Sequence, residues 1–549
     1  GRPWTDPRPL PPGPSPWAGA RGGAAGRGRA GAGGRATGRV PCDLRGGAAG
    51  AAHGGRRVAA RAAAAGQSGR LEGAGRGLQG IRIRPLLASV AVGLGVFLVP
   101  APAGVSTQGW HLLAIFLSTI AGLVLQPLPT GAWCFLAMTF SIVSGTLSWQ
   151  GAFYAFTNEV IWLIVISFFF AKGFVGTGLG ERVATFFVQK FGSSTLGLSY
   201  GLNLAETLIG PAMPSSTARA GGIFVPIIAS LSKANDSRPN DPSCRRMGAF
   251  LIQSQLQTSA HGSALFFTAA AQNLMCLKIA EEFGVTVTGQ FMTWLVAASV
   301  PALVALAAVP WLVYVLYPPE VKSTPEAPAA ATEKLRAMGP MSTAEMVMAG
   351  TMGGAILLWV AGEAIGVSAA VTAMLGLCVL LCSGVVQWKE CLSETGAWDT
   401  LLWFSVLIGM SGQLNSLGVI GYFAEAVASA LAGTNLGWMA TFCILQVAYY
   451  VVHYIFASQT AHVGALYAAF LGMLIAAGCP PVLSALVLGL NTNLLAGITP
   501  FASGHAAVYA GSGYVPDRDF LSLGAIFSVF NLGIWLAIGL PWWKFLGYF

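Results

Sequence analysis

The sequence predicts an all-α polytopic membrane protein built from two related halves. Three observations carry that prediction. The 549 residues are 54% hydrophobic and only 9% charged, against about 25% charged in an ordinary soluble domain. Largely apolar stretches of roughly 15–20 residues, the length a helix needs to cross a bilayer's hydrocarbon, recur from residue 86 onward. One motif also occurs twice: Ser215-Ser216-Thr217-Ala218-Arg219-Ala220-Gly221 returns 243 positions later as Ser458-Gln459-Thr460-Ala461-His462-Val463-Gly464.

Residues 1–84 stand apart. They hold fifteen arginines, no lysine and three acids, so the net charge of +9 belongs to this segment, and the remaining residues are slightly acidic. The basic excess therefore gives no reason to expect a nucleic-acid partner. Arg-rich, Ala/Gly-rich, acid-poor sequence of this kind reads as an organellar transit peptide, with a disordered basic tail as the alternative. The nine cysteines show no ligand spacing and no C-x-x-C pair, so neither a metal site nor a disulfide framework is expected.

The membrane region reads in order. A first span falls at Leu86–Pro100, followed by Trp110–Leu128 and Gly131–Ser148. The run Glu159–Val175 carries Lys172 and stops at Gly176-Thr177-Gly178 before an amphipathic piece, Glu181–Phe191, a pattern that suits a re-entrant hairpin. Ser199–Met213 leads into the first Ser-x-Thr break, Ala218–Leu231 leads out, and a charged loop follows over Ser232–Arg246. Met247–Ile279 carries a further polar interruption at Gln257–Ser263, and Phe291–Tyr317 is a long span.

The polar, Pro/Ala-rich stretch Pro318–Met341 reads as a connection, dividing the chain into a first half over 85–317, a linker over 318–343 and a second half over 344–549. The second half repeats the order: spans near Met346–Val360 and Ala369–Val386, then Trp403–Leu417 with a break at Asn415-Ser416-Leu417-Gly418. Trp438–Phe456 leads into Ser458-Gln459-Thr460 and Val463–Ala477 leads out. Val482–Leu495 precedes an interruption at Thr499–His505, and Leu521–Leu540 is the last span. Trp162 and Trp403 lie 241 apart, so the correspondence extends beyond the motif.

Paired interruptions at matching places point to the binding site of a membrane carrier. A Ser or Thr at such a break presents a hydroxyl. The half-helix beyond it presents free N–H groups and the positive end of its dipole, which attract carboxylate. Two facing breaks would each receive one end of a dianion. This assigns Ser215, Thr217 and Arg219 to one carboxylate and Ser458, Thr460 and His462 to the other, with Ser216, Gln459 and Asn273 as added polar contacts. Lys172, Gln272, Ser503 and His505 are further candidates, and no catalytic or metal-ligating residue is expected. The competing structural reading is packing: Ser and Thr pack membrane helices, Arg219 can pair with Glu206, and a lysine near a helix end can snorkel. A charge at mid-membrane depth costs about 2.5–3.5 kcal/mol or more, so it faces a cavity or a partner. An enzyme is disfavoured because no nucleophile–base pair, H-E-x-x-H or phosphate-binding loop is present.

Three stretches carry a family resemblance: Ala212–Gly222, Phe267–Cys276 (FTAAAQNLMC) and Phe456–Tyr467 (FASQTAHVGALY). They resemble the plastid dicarboxylate translocators within the divalent anion/sodium symporter family, and the likeness runs from about residue 85 to 549. It implies two inverted repeats with re-entrant hairpins and unwound helices, an elevator-type transporter, a homodimer and a multi-pass position in the plastid (chloroplast) inner envelope membrane, with the mitochondrial inner membrane as the alternative. It implies sodium-independent antiport of 2-oxoglutarate for malate, with dicarboxylates and the lipid bilayer as partners and no cofactor. The family's Ser-Asn-Thr signatures fall on Ser215-Ser216-Thr217 and Ser458-Gln459-Thr460. In both, the central Asn of the sodium-coupled relatives is replaced, which tells against a sodium-coupled dicarboxylate or sulfate symporter. A glutamate/malate exchanger and an anion channel remain alternatives.

Overall fold

The computed structural model describes residues 80–432 and 437–549, and among them the secondary structure is helical. Apart from residues 80–84, the segment read as a transit peptide lies outside the described residues; the first helix, Ile83–Phe97, begins just inside its end. Among the described residues seven helices are long and apolar enough to cross a membrane, including Thr107–Leu125, Gln290–Leu316 and Asp517–Phe545. Shorter apolar helices, such as Thr130–Val143 and Ala369–Cys382, pack beside them.

The two halves repeat element by element. In the first, helix Thr195–Ile209 ends in a 3-10 turn over Gly210–Ala212. The chain is then extended to Ser215 and re-enters a helix at Ser216–Arg219 that widens into a π-turn over Ala220–Phe224. In the second, helix Trp438–Val452 ends in a 3-10 turn over His453–Ile455. It re-enters at Gln459–His462 and widens into a π-turn over Val463–Tyr467. Both re-entries and both π-turns are 243 residues apart. Each half also holds a second broken helix: Gly248–Leu265 resumes at Ala271–Glu282, and Pro481–Thr492 resumes at Gly504–Gly511. The loop leading from the re-entered helix to this one is shorter in the second half, so here the matching helix starts lie 233 apart.

Two segments differ from the sequence expectation. Glu159–Thr177 is a continuous apolar helix long enough to span, where the sequence suggests a re-entrant hairpin, and its break falls at Gly178 as expected. Its lysine is tolerated because Lys172 Nζ meets Glu394 Oε2 at 2.6 Å. The helix ends because Gly178 takes a left-handed conformation (φ +78°), as Gly418 does (φ +75°) at the matching end in the second half; this is the position where glycine carries no Cβ penalty. The polar run Gln257–Ser263 does not interrupt its helix either; the break falls just after it, at Phe266–Ala270. The run stays helical because its side chains find partners sideways. Thr258 donates to Asn203, Ser259 Oγ to Glu206 Oε1 at 2.6 Å, and His261 lies between Asn531 and Trp535 at 3.1 Å each.

The stretch read as a linker contains a helix of its own, Glu326–Met338. It docks on the amphipathic helix Leu179–Phe191 through Lys334 with Glu181 (2.7 Å) and Gln189 with Thr332 (2.9 Å). Arg182 completes the clamp, reaching the carbonyl of Gly339 (2.9 Å) and both carboxylate oxygens of Glu345 (2.6 and 3.1 Å).

Candidate functional site

Each Ser-x-Thr break is organised by its first serine. Ser215 and Ser458 are the N-caps, accepting from the backbone N–H of Ala218 (3.2 Å) and Ala461 (3.4 Å). One donor is thus satisfied at each helix start, leaving the preceding N–H groups of the first turn free of intrahelical partners. Ser458 Oγ also lies 2.8 Å from Thr460 Oγ1. Thr217 is exposed and sits against the start of the helix at Gly504, where a Cβ would overlap its hydroxyl.

The central residues of the two signatures make reciprocal contacts. Ser216 Oγ lies 3.0 Å from His505 Nδ1, which also contacts Ser503 Oγ at 3.1 Å. Gln459 Oε1 accepts from Gln272 Nε2 at 3.4 Å. His505 and Gln272 are each the second residue of the resumed broken helix of their half, so each half's signature contacts the other half's break. Gln459 Nε2 additionally donates to the carbonyls of Thr492 (2.9 Å) and Asn493 (3.2 Å).

Asn493 is the hub that sequence reasoning missed. Its Oδ1 accepts from Gln272 Nε2 at 3.2 Å and its Nδ2 donates to Asn273 Oδ1 at 2.6 Å. Asn273 in turn donates to the carbonyls of Ser263 (2.9 Å) and Phe266 (3.1 Å). A continuous line of amides thereby crosses from one half to the other. The signal was present in the polar run Asn491-Thr492-Asn493, which lies just ahead of the interruption the sequence singled out.

Arg219 points inward and is buried. Its Nε meets Glu206 Oε1 at 3.3 Å, its Nη1 donates to the carbonyls of Met213 and Ala269 (the latter at 2.8 Å), and its Nη2 donates to Ser263 Oγ at 2.6 Å. Glu206 is held further by Gln255 and Ser259. His462, the matching residue, is also buried and is ringed by Tyr449 (centroids 4.3 Å), His453 (5.0 Å) and Phe456 (5.3 Å). Its ring nitrogens form no well-made hydrogen bond and only approach the Tyr449 carbonyl loosely. The amide chain thus links Arg219, through Ser263, to Asn273, Gln272 and Gln459, and a separate contact joins Ser216 to His505. Lys172, paired with Glu394, stands outside this network.

Next to Ser458 and Thr460 lies a cavity of about 100 Å³, also lined by Gln126, Thr130 and Trp403. Among the described residues no group of three or more His, Cys, Asp or Glu side chains is arranged to hold a metal ion.

An all-helical bundle in which two halves each supply a capped break and a resumed helix, cross-linked by buried amides, is the architecture of a membrane transporter. Residues 81–549 match the family described as "Sodium:sulfate symporter transmembrane region", and the chain belongs to that family. It is 59% identical to dicarboxylate transporter 2, chloroplastic, of Spinacia oleracea, over 85% of this chain and 83% of the relative. Dicarboxylate transporter 1, chloroplastic, of Arabidopsis thaliana is 47% identical over 85% and 84%. The L-tartrate/succinate antiporter of Shigella boydii is 33% identical over 83% and 97%. In fold, the chain is similar to the Alcanivorax borkumensis YdaH transporter, with TM-score 0.51 over 84% of this chain and 96% of that one, at 12% identity.

Proposed function

We propose that the chain is a sodium-independent dicarboxylate exchanger, moving 2-oxoglutarate against malate across the plastid inner envelope membrane as a homodimer with elevator-type movement. The relatives named as chloroplastic dicarboxylate transporters support the substrate class and the membrane. The observation that carries the coupling is the placement of Arg219. Carbonyls freed at helix breaks carry uncompensated negative partial charge and ordinarily attract a cation. Here the guanidinium, tethered to the chain, donates to the carbonyl of Met213 before the first break and to that of Ala269 at the second. Glu206 balances its charge. The place of a mobile coupling ion is taken by a side chain that cannot leave.

The substrate then meets hydroxyls and helix starts. Ser215 and Thr217, with Arg219 held behind them, take one carboxylate; Ser458 and Thr460, with His462 behind them, take the other. Ser216 with His505 and Ser503, and Gln459 with Gln272 and Asn273, fix the two ends relative to each other. An occupied site satisfies the free N–H groups, and an empty one carries them into low dielectric at about 1–3 kcal/mol for each donor left unmade. That difference favours movement of the loaded form and makes exchange obligatory. In reconstituted liposomes, uptake of labelled 2-oxoglutarate should require internal malate and be indifferent to sodium. Equal uptake into empty vesicles, or accumulation driven by a sodium gradient, would refute it; glutamate outside tests the neighbouring specificity in the same assay.

A further inference from the structure

Gln126 has a backbone conformation its residue type does not favour. Among the described residues three non-glycine positions have positive φ: Gln126 (+50°), Asp236 (+53°) and Asn240 (+55°). Asp and Asn visit this region routinely because their short side chains bond locally; Gln does not share that advantage. Gln126 also precedes Pro127, whose ring pushes the preceding residue toward extended conformations. The surroundings nevertheless fix it. Its N–H donates to the Gly122 carbonyl at 2.8 Å, its own carbonyl accepts from Arg82 Nη1 at 3.2 Å, and Arg82 N donates to the Pro127 carbonyl at 3.0 Å.

Glycine would serve this backbone without strain. What a glutamine adds is its side chain, and Gln126 is among the residues that line the cavity beside Ser458 and Thr460. Strain held in place by its neighbours, next to a binding cavity, is the pattern of a functional position. The same cavity is lined by Thr130, Trp403 and the apolar Leu123 and Val124. A carboxamide there can donate through Nε2 and accept through Oε1.

We infer that Gln126 is a specificity-determining residue, hydrogen-bonding the substituent on the carbon next to the carboxylate held at Ser458 and Thr460. A keto oxygen accepts from Nε2, a hydroxyl can do either, and an ammonium donates to Oε1. This inference rests on the exchange site proposed above. The test is counter-exchange in malate-loaded liposomes with external 2-oxoglutarate, malate and glutamate, run on Gln126→Gly, Gln126→Leu and the control Ser458→Ala/Thr460→Ala. Loss of one hydrogen bond to substrate raises KM for 2-oxoglutarate about tenfold in both Gln126 variants and changes the preference among the three substrates. Gln126→Gly also raises the unfolding temperature, since it relieves the backbone, so a well-folded variant is assured. If Gln126→Gly keeps KM and preference unchanged while the Ser458/Thr460 control loses exchange, the inference falls and the site stands. If the control keeps full exchange, the site itself is misplaced.

Discussion

Glu206 and Arg219 form a buried ion pair at 3.3 Å, and the residues 243 positions further on, Tyr449 and His462, meet ring to ring at 4.3 Å. The same geometric relationship is kept in both halves with different chemistry. The supporting layer is kept too: Ser259 bonds Glu206, and Thr492, 233 positions on, lies 3.1 Å from the Tyr449 hydroxyl. One position lower, Thr258 with Asn203 corresponds to Asn491 with Gln446, joined at 3.0 Å. The first half fixes its break with an ion pair and the second with packed rings and hydroxyls, so the two breaks are alike in shape and unlike in chemistry.

Removing Arg219 alone should therefore be far worse than removing both charges. Arg219→Ala leaves Glu206 buried without its counter-charge, a loss of about 3–5 kcal/mol. Glu206→Gln with Arg219→Gln should recover much of the unfolding temperature in detergent. If the tethered cation replaces a mobile one, the recovered double variant exchanges poorly, and added sodium improves it. A double variant that exchanges normally without sodium would contradict that role.

The amide line makes a second prediction. Asn493→Leu strips hydrogen bonds from Gln272 and Asn273 and leaves both amides buried. Each unsatisfied group costs about 1–3 kcal/mol. A clear fall in unfolding temperature is expected, together with loss of exchange. A double-mutant cycle with Asn273→Ala should give a coupling of about 0.5–3 kcal/mol; additive losses would mean that the 2.6 Å contact carries no weight.

Much of this arrangement is legible in the sequence, and the parts that are not share a cause. The spans, the paired breaks and their spacing follow from hydropathy and from one repeated motif. The π-turns at Ala220–Phe224 and Val463–Tyr467 do not, because an extra residue in a helical turn leaves no periodic mark in an apolar run. Gln257–Ser263 reads as a break because polarity in a membrane segment suggests unwinding. Only the partners on other helices, Asn203, Glu206, Asn531 and Trp535, show that the run can stay helical. Asn493 escaped notice because its value lies in what it touches across the two halves, and a single sequence records types and not contacts. The direction of Arg219 had two readings in the sequence; its carbonyl partners, Met213 and Ala269, come together only in the fold.

Lys172 should be dispensable for the chemistry. Its ammonium is partly exposed and paired with Glu394, and replacing it by methionine puts an apolar side chain on an apolar helix. Lys172→Met should leave the KM for 2-oxoglutarate within about twofold of the parent and shift the unfolding temperature little. A tenfold rise in KM would bring Lys172 back among the binding residues.

A steric test of the link between the two breaks lies where Thr217 meets Gly504. A Cβ added at Gly504 overlaps the Thr217 hydroxyl and presses on its Cβ and Cγ2 at 3.3 Å. Gly504 begins a helix whose next residue, His505, contacts Ser216. Gly504→Ala should therefore push the helix start off the first break and abolish exchange, even though alanine is the better helix former by about 1 kcal/mol. Thr217→Ala removes the obstructing atoms, so the double variant should regain the unfolding temperature of the parent. Whether it regains transport separates two roles for Thr217. If its hydroxyl holds a substrate carboxylate, the double variant folds, carries the Ser216–His505 contact and still shows a KM raised about tenfold, as the loss of one hydrogen bond predicts. Full recovery of both stability and KM would assign Thr217 to packing against the second half and leave Ser215 as the hydroxyl at that end.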